Sequence, residues 1–155
     1  MNKYKIIFFG SPYYAIPILE KIISLGHNVV LVISQGTKEV KRGKLQRTAV
    51  SEFCKSKNIR CITPENIDKC CIKDISSCNA DMGIIYAYGK LIPIDVIKMF
   101  RSGIMNLHCS LLPLYRGAAP IQHALINDDT VTGITYFEIN EKLDDGKIIL
   151  SENYK

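Results

Sequence analysis

The amino-acid sequence predicts an α/β protein with a doubly wound, mostly parallel sheet and helices on both faces. Short apolar runs alternate with segments of helical periodicity along the chain, which is the pattern of α/β proteins. The apolar runs are continuous, as expected for parallel strands that are buried on both faces. A chain of 155 residues with 47% hydrophobic residues is long enough to bury one core, so we expect a single domain.

The first three elements form a β-α-β unit, for which a right-handed crossover is expected. A strand over residues 6–9 precedes a helix that starts near Tyr14, because Pro17 needs a place in the first helical turn. Gly26 ends this helix. Residues 28–34 then form a second buried strand.

The rest of the chain continues the alternation after a predicted loop over residues 35–47, which has no apolar periodicity. The predicted elements are a short helix over 48–57, strands over 59–62 and 81–87, a helix over 94–100, a strand over 103–108, a helix over 119–127, and strands over 133–139 and 147–151. The sequence has neither a G-x-G-x-x-G turn nor a Walker A motif. An open sheet of this kind still binds ligands beyond the carboxyl ends of its strands.

Composition argues against membrane, secreted and metal-binding classes. No apolar run approaches the roughly 18–20 residues that span a bilayer, and the amino-terminal run is too short for a signal peptide. We therefore expect a cytoplasmic protein with no membrane contact. The six cysteines include no C-x-x-C pair, so we expect free thiols and no metal site.

Positive charge is concentrated in one segment. The formal net charge is +5, and residues 38–60 hold eight Lys and Arg against two Glu. The densest part is a basic cluster formed by Lys38, Lys41, Arg42, Lys44 and Arg47. A nearly neutral body with one basic segment indicates a local contact with a polyanion. The alternative is a solvated surface loop.

Two polar residues, Asn106 and His108, end one of the predicted strands. Strand alternation puts both side chains on one face, about 6–7 Å apart. An amide can stabilise an oxyanion, and an imidazole can hold or move a proton near neutral pH. Taken alone, such a pair is more often structural.

The segment after His108 has an unusual composition, because Leu111 and Leu112 occupy a turn between Ser110 and Pro113. They would form an apolar ledge on which a flat aromatic ligand could rest. The alternative is a buried loop that precedes a helix. Further along, Asp144 is either an ordinary turn residue or a carboxylate that orients His108. The residues alone do not decide between these.

Six motifs in order give the chain a resemblance to a known family. They are IIFFGSP from Ile6, SQ from Ser34 before a basic loop with RGK from Arg42, AYGKLIP from Ala87, NLHCSLLPLYRGAAPIQ from Asn106, TGIT from Thr132 and LDDG from Leu143. The whole chain resembles the amino-terminal part of the methionyl-tRNA formyltransferases. Its S-L-L-P-x-x-R-G element is similar to the signature of the folate-dependent formyltransferases.

The resemblance implies a Rossmann-like formyltransferase fold and direct transfer of a formyl group. The donor would be 10-formyltetrahydrofolate, and the acceptor would be the amino group of methionine on initiator tRNA, for translation initiation. Asn106 and His108 match residues that stabilise the oxyanion. Asp144 matches the residue that orients His108 and helps to remove the amine proton. No metal and no covalent enzyme intermediate are implied.

The resemblance also assigns ligand contacts. The residues matched to the folate site are Ser110, Leu111, Leu112 and Pro113, together with backbone around Tyr88, Gly89 and Leu91. The basic cluster matches a loop that enters the acceptor stem of the tRNA. Such contacts with phosphate would make binding dependent on salt.

The chain departs from the family pattern in two ways. Asp145 adds a second carboxylate beside Asp144, which leaves the choice of base between them open. The chain also ends soon after Asp144, so we expect residues 1–155 to be the amino-terminal part of the catalytic domain, without the family's carboxy-terminal tRNA-binding domain.

We expect a monomer. The alternatives are an acceptor that is an amino sugar nucleotide or glycinamide ribonucleotide, and an inert truncated fragment that binds RNA.

Overall fold

The computed structural model describes residues 3–36, 38–40 and 44–155. Its first elements are β1 (Lys5–Phe9), a single 3-10 turn (Tyr13–Ala15), α1 (Ile16–Ser24) and β2 (Asn28–Ile33). Pro17 lies in the first turn of α1, where its missing N–H costs no helical hydrogen bond. Gly26 follows the helix with φ +80°, a conformation that glycine adopts without steric cost. The predicted β-α-β unit is confirmed.

The segment predicted as a loop over residues 35–47 contains a small antiparallel sheet, so that prediction is wrong for its strands. β3 (Lys38–Val40) pairs with β4 (Lys44–Gln46), with Lys38 opposite Gln46. The pair forms a separate two-stranded sheet. Strands of three residues are too short to produce the apolar periodicity on which the prediction relied.

The remaining elements follow the predicted order with one addition; most are shorter than predicted, and the last strand is three residues longer. They are α2 (Ala49–Ser56), β5 (Cys61–Ile62), α3 (Lys69–Ser77), β6 (Met82–Ile85), α4 (Ile94–Ile97), β7 (Ile104–His108), α5 (Pro120–Ile126), β8 (Thr132–Glu138) and β9 (Lys147–Tyr154). α3 was not predicted. An Asp at position 68 is a residue type favoured at helix N-caps, and in the structure the Asp68 side chain accepts a hydrogen bond from the Cys71 N–H at 2.9 Å.

The large sheet has the strand order β5-β2-β1-β6-β7-β8-β9. The first five strands are parallel, and β8 and β9 are added antiparallel. The chain winds outwards from β1 in one direction through β2 and then in the other through β6. The topological switch point therefore lies between β1 and β6, and a crevice at their carboxyl ends is the expected place for a ligand.

Side chains of β1 alternate between two separate cores. Ile6 and Phe8 pack in a cluster that includes Leu19 of α1 and Val50 of α2. Ile7 and Phe9 pack on the opposite face, in a cluster that includes residues of α3 and α4. Helices thus cover both faces of the sheet, as predicted, and rigid packing on both sides fixes the strand ends that carry the site.

Among the described residues, no helix is both long enough and apolar enough to cross a lipid bilayer.

Candidate active site

Asn106 and His108 stand side by side at the end of β7. The parallel neighbour β6 pairs Ile85 with Asn106, and the antiparallel neighbour β8 pairs Thr135 with His108. Leu107, between them, points into the core that contains α1 and α2. The expected placement of the amide and the imidazole on one face is confirmed by this alternation.

A carboxylate from a distant turn reaches this strand end. The Oδ2 atom of Asp144 lies 3.6 Å from Nδ1 of His108, and both side chains are more than nine-tenths buried. The turn is held close to the sheet by Gly146, where a Cβ atom would overlap the carbonyl oxygen of Glu138 at the end of β8. The LDDG segment therefore needs glycine at its last position in order to bring Asp144 to His108.

The two adjacent aspartates have different partners. Asp144 Oδ2 accepts a hydrogen bond from the Gly117 N–H at 2.7 Å. Asp145 forms ion pairs with Arg116 and, at 3.8 Å, with Lys142. Only Asp144 faces the imidazole, whereas Asp145 lies in a more exposed ion-pair cluster. This arrangement favours Asp144 over Asp145 as the carboxylate of the site.

The S-L-L-P segment folds back on itself beside His108. The Ser110 hydroxyl is fully buried and donates to the Leu114 carbonyl oxygen at 2.6 Å. Thr135 of β8 ties the segment down, since its hydroxyl donates to the Ser110 carbonyl oxygen and accepts from the Leu112 N–H. Leu111 and Leu112 are half-buried and Pro113 is exposed. The Ser110 side chain therefore stabilises the conformation of the segment, and the side chains of Leu111, Leu112 and Pro113 form its outer surface.

A cavity of about 460 Å³ opens at the switch point between β1 and β6. Its walls come from segments that follow three parallel strands, from the end of β4 and from the start of α2: Ser11, Pro12, Tyr14, Gln35, Gln46, Arg47, Thr48, Ala49, Ala87 and Gly89. Because Ile85 pairs with Asn106, Ala87 leaves the sheet beside the end of β7, where His108 lies. The cavity and the polar cluster therefore occupy one edge of the sheet.

Two residues that line this cavity, Ser11 and Thr48, are joined through the buried hydroxyl of Ser34. Ser11 Oγ accepts a hydrogen bond from the Gln35 N–H at 3.0 Å. The hydroxyls of Ser34 and Thr48 are 2.6 Å apart, and Thr48 also caps α2 by accepting from the Ser51 N–H. These contacts fix the start of α2 against the ends of β1 and β2. Sequence reasoning missed the set, because it consists of single polar residues after separate strands.

An aromatic wall borders the cavity near β7. The rings of Tyr14 and Tyr86 meet edge to face at 5.8 Å. The Tyr86 hydroxyl lies 3.5 Å from the Sγ atom of Cys109, and burial raises the pKa of Tyr86 above its usual range. Tyr14 comes shortly after β1 in the sequence. This position, after the carboxyl end of a strand, is what indicates in the sequence that Tyr14 lies near the cavity.

The predicted folate contacts around Tyr88 differ in exposure: the Tyr88 side chain is buried, whereas Gly89 and Leu91 are exposed. The Tyr88 side chain is 1% exposed and packs in the core beside Phe9. Burial raises the pKa of Tyr88 to about 12, and its hydroxyl has no hydrogen-bond partner among the described residues. The Tyr88 carbonyl oxygen accepts from the Gln35 side chain at 2.5 Å. Gly89 lines the cavity, and the Leu91 side chain is largely exposed.

The basic cluster is described only in part. Lys41 and Arg42 lie outside the described residues. The backbones of Lys38 and Lys44 belong to the β3–β4 hairpin. Arg47 lines the cavity and makes a loose, exposed ion pair with Glu52 at 3.7 Å. The positive charge on the Arg47 side chain is thus at the mouth of the cavity.

The described residues contain no group of three or more His, Cys, Asp and Glu side chains that could hold a metal ion. The site instead joins an amide, an imidazole and a buried carboxylate at the carboxyl edge of an open α/β sheet. An amide and an imidazole can stabilise the oxyanion of a carbonyl addition, and an imidazole–carboxylate pair can hold a proton. Such a set of groups at the carboxyl edge of an open α/β sheet is chemically suited to addition at a carbonyl carbon.

The model of the family described as formyl transferase matches residues 4–155. The chain belongs to this family, which confirms the resemblance read from the sequence motifs.

Curated relatives carry more specific names. The methionyl-tRNA formyltransferase of Fusobacterium nucleatum is 43% identical over 150 residues, which cover 96% of this chain and 48% of the relative. That of Thermodesulfovibrio yellowstonii is 43% identical over 149 residues, with 95% and 48% covered. The chain therefore spans about half the length of the curated relatives it matches.

Solved structures confirm the fold class. Phosphoribosylglycinamide formyltransferase from Bacillus halodurans superposes with a TM-score of 0.76 at 24% identity, covering 97% of this chain and 79% of that one. A formyltetrahydrofolate deformylase from Pseudomonas syringae gives a TM-score of 0.75 at 19% identity, with 99% and 51% covered. At these identities the likeness concerns the fold alone.

Proposed function

We propose that the chain is the catalytic part of a methionyl-tRNA formyltransferase. It transfers the formyl group of 10-formyltetrahydrofolate to the α-amino group of methionine carried by initiator tRNA. The proposal is supported by the names of relatives that are 43% identical over nearly the whole chain. The observation that carries it is the buried pairing of His108 with Asp144 beside Asn106, at the same edge of the sheet as the cavity.

The reaction has two chemical steps. The amino group attacks the formyl carbon, a carbon–nitrogen bond forms, and negative charge develops on the formyl oxygen. The bond between the formyl carbon and the folate nitrogen then breaks. The amine loses one proton, and the departing folate nitrogen gains one, so no cofactor beyond the formyl donor takes part.

Asn106 and His108 act on the developing oxyanion. The Asn106 amide donates a hydrogen bond, and the protonated imidazole donates a second one from Nδ1, since Nε2 faces the Tyr115 carbonyl oxygen. Donors of this kind, fixed before the reaction, each contribute about 10²- to 10³-fold to the rate. Both residues belong to β7, which is hydrogen-bonded to a strand on each side. Their positions therefore need little reorganisation during the reaction.

Asp144 orients His108 and helps to remove the amine proton, through a water molecule. Its carboxylate is kept in place by the Gly117 N–H, and its burial limits screening by solvent. The fixed carboxylate 3.6 Å from Nδ1 keeps the orientation of the imidazole ring. This assignment leaves Asp145 with a role in the Arg116 ion pair.

The folate donor occupies the apolar ledge beside these residues. We assign Leu111, Leu112 and Pro113 to the ledge, and the backbone near Gly89 and Leu91 to the same pocket, as the resemblance implies. Ser110 contributes by bracing the ledge from within, since its hydroxyl is bonded to the Leu114 carbonyl. A flat pterin ring buries apolar surface against such a ledge without needing a charged partner.

The tRNA acceptor enters from the side of the basic cluster. Arg47 lies at the mouth of the cavity, and Lys38, Lys41, Arg42 and Lys44 precede it in the sequence. These cations attract the phosphates of the acceptor stem. The cavity then receives the aminoacylated end, which reaches the formyl carbon near His108.

An acceptor panel tests the proposal. The 155-residue chain is mixed with 10-formyltetrahydrofolate and one of three acceptors: charged initiator tRNA, glycinamide ribonucleotide or an amino sugar nucleotide. We expect formylation of the tRNA alone. Transfer to either of the other acceptors in preference to tRNA would overturn the acceptor assignment. Binding of tRNA without transfer to any acceptor would support the inert RNA-binding alternative.

A further inference from the structure

The two nitrogens of His108 face different partners. Nε2 lies 2.8 Å from the backbone carbonyl oxygen of Tyr115, and Nδ1 lies 3.6 Å from the Asp144 carboxylate. A carbonyl oxygen can only accept a hydrogen bond, so the nitrogen that faces it must carry hydrogen. The hydrogen on Nε2 is thus committed to Tyr115, and Nδ1 is the nitrogen whose protonation can change.

The Tyr115 backbone adopts an uncommon conformation to make this contact. Its φ is +54°, in the left-handed region that bulky side chains rarely occupy. Such a conformation persists only where the surroundings hold it. Gly117, two residues later, also has positive φ, and its N–H binds Asp144. The same short turn therefore contacts both members of the His108–Asp144 pair.

The Tyr115 side chain is held in place at the end of α5. Its hydroxyl donates to the Asp129 carboxylate at 2.5 Å and accepts from the Asn127 amide at 2.9 Å. Its ring is stacked on His123, with centroids 6.0 Å apart and planes within 8°. The Tyr115 side chain lies near the surface. It is nevertheless fixed by two hydrogen bonds, one of them to a charged group, and by the stacked ring of His123.

We propose that Tyr115 is a positioning residue for His108. Its anchored side chain holds a carbonyl that keeps one hydrogen on Nε2, so that the proton gained and lost during formyl transfer is the one on Nδ1, beside Asp144. The inference deepens the proposed function and rests on it for the kinetic part. The hydrogen assignment itself concerns the resting protein and is measurable without substrate.

Nitrogen NMR of the histidine side chains tests the assignment in the 155-residue chain. The His108 signals are identified by their loss in His108→Ala. In the neutral ring we expect hydrogen on Nε2 and none on Nδ1. Hydrogen on Nδ1 in the neutral ring would overturn the proposal. This readout holds even if the chain transfers no formyl group, so failure of the proposed function is distinguishable from failure of this inference.

Two variants test the anchor. Tyr115→Phe removes the hydroxyl and keeps the ring, and Asp129→Asn removes the charge that the hydroxyl contacts. In both, the neutral His108 should become a mixture of two tautomers, and kcat should fall about 10- to 100-fold, as for a small misplacement of a reacting group. The KM for tRNA should stay within about 2-fold, since such a loss falls on the chemical step.

Tyr154→Phe is the matched control, because the Tyr154 hydroxyl also donates to a surface carboxylate, that of Glu152, at 3.2 Å. It should leave the His108 tautomer and kcat unchanged. The proposal is overturned if a folded Tyr115→Phe chain keeps the wild-type tautomer and kcat. If Tyr115→Phe does not fold, the same criterion applies to Asp129→Asn, whose residue is exposed.

Discussion

Asp144 and His108 are 36 residues apart in the sequence, and their side chains meet with Oδ2 and Nδ1 3.6 Å apart in a buried pocket. Neither side chain is held by the other alone. The carboxylate is fixed by the Gly117 N–H, and the imidazole by the Tyr115 carbonyl. Both anchors belong to the segment that follows the S-L-L-P turn, so the motif positions the polar residues that surround it.

Asp144→Asn should lower kcat by about 10²- to 10⁴-fold, because the amide keeps the shape of the side chain but removes the charge that supports proton transfer. The fold should survive, since an amide oxygen can still accept from the Gly117 N–H. Steady-state formylation assays measure the effect. Asp145→Asn is the control, and it should stay within a few-fold of wild type. A larger loss in Asp145→Asn than in Asp144→Asn would reverse the assignment of the two carboxylates.

Gly146→Ala should destabilise the protein, because the added Cβ would overlap the Glu138 carbonyl oxygen. Relief requires backbone movement, for which a cost of at least about 1–3 kcal/mol is expected. The movement would also displace the turn that carries Asp144. Urea unfolding gives the stability change. Gly36→Ala is the matched control, since a Cβ there would lie 3.6 Å from the Thr63 carbonyl oxygen, an ordinary contact. Equal urea midpoints for the two variants would contradict the conclusion that position 146 requires glycine.

Arg47→Ala should weaken binding of tRNA and reduce the salt dependence of that binding by about one phosphate contact. The KM for the formyl donor should not change. The same result is expected for Arg42→Ala. Binding titrations at several salt concentrations provide the measurement. Arg60→Ala removes a surface cation that is paired with Asp74 at 2.7 Å, and it should leave the salt slope unaltered. An unchanged salt dependence of tRNA binding in Arg47→Ala would show that Arg47 does not contact a tRNA phosphate.

Much of the fold was predictable because strands buried on both faces leave continuous apolar runs. The runs of β1 and β2 are of this kind, and packing on two sides confirms their interpretation. α3 escaped prediction because it has a narrow apolar stripe, with Cys71 and Ile75 as its buried residues. The β3–β4 hairpin escaped because its strands are too short to show a period.

The site was less predictable than the sheet. Strand alternation predicted the neighbouring placement of Asn106 and His108, but only the family resemblance connected Asp144 to them. The Tyr115 contact is made by a backbone carbonyl, which leaves no signal in the choice of side chain. Ser11 and Thr48 become neighbours of one cavity only through strand order, which is a property of the whole sheet.

The rate of formyl transfer to charged initiator tRNA, measured in a single turnover with saturating 10-formyltetrahydrofolate, tests the central claim most directly. The wild-type chain should transfer the formyl group. Asn106→Ala and His108→Ala should each retain native circular dichroism and lose at least about 10²-fold in rate, the cost of removing one oxyanion donor. Wild-type rates in both folded variants would contradict the assignment of this strand end as the catalytic site.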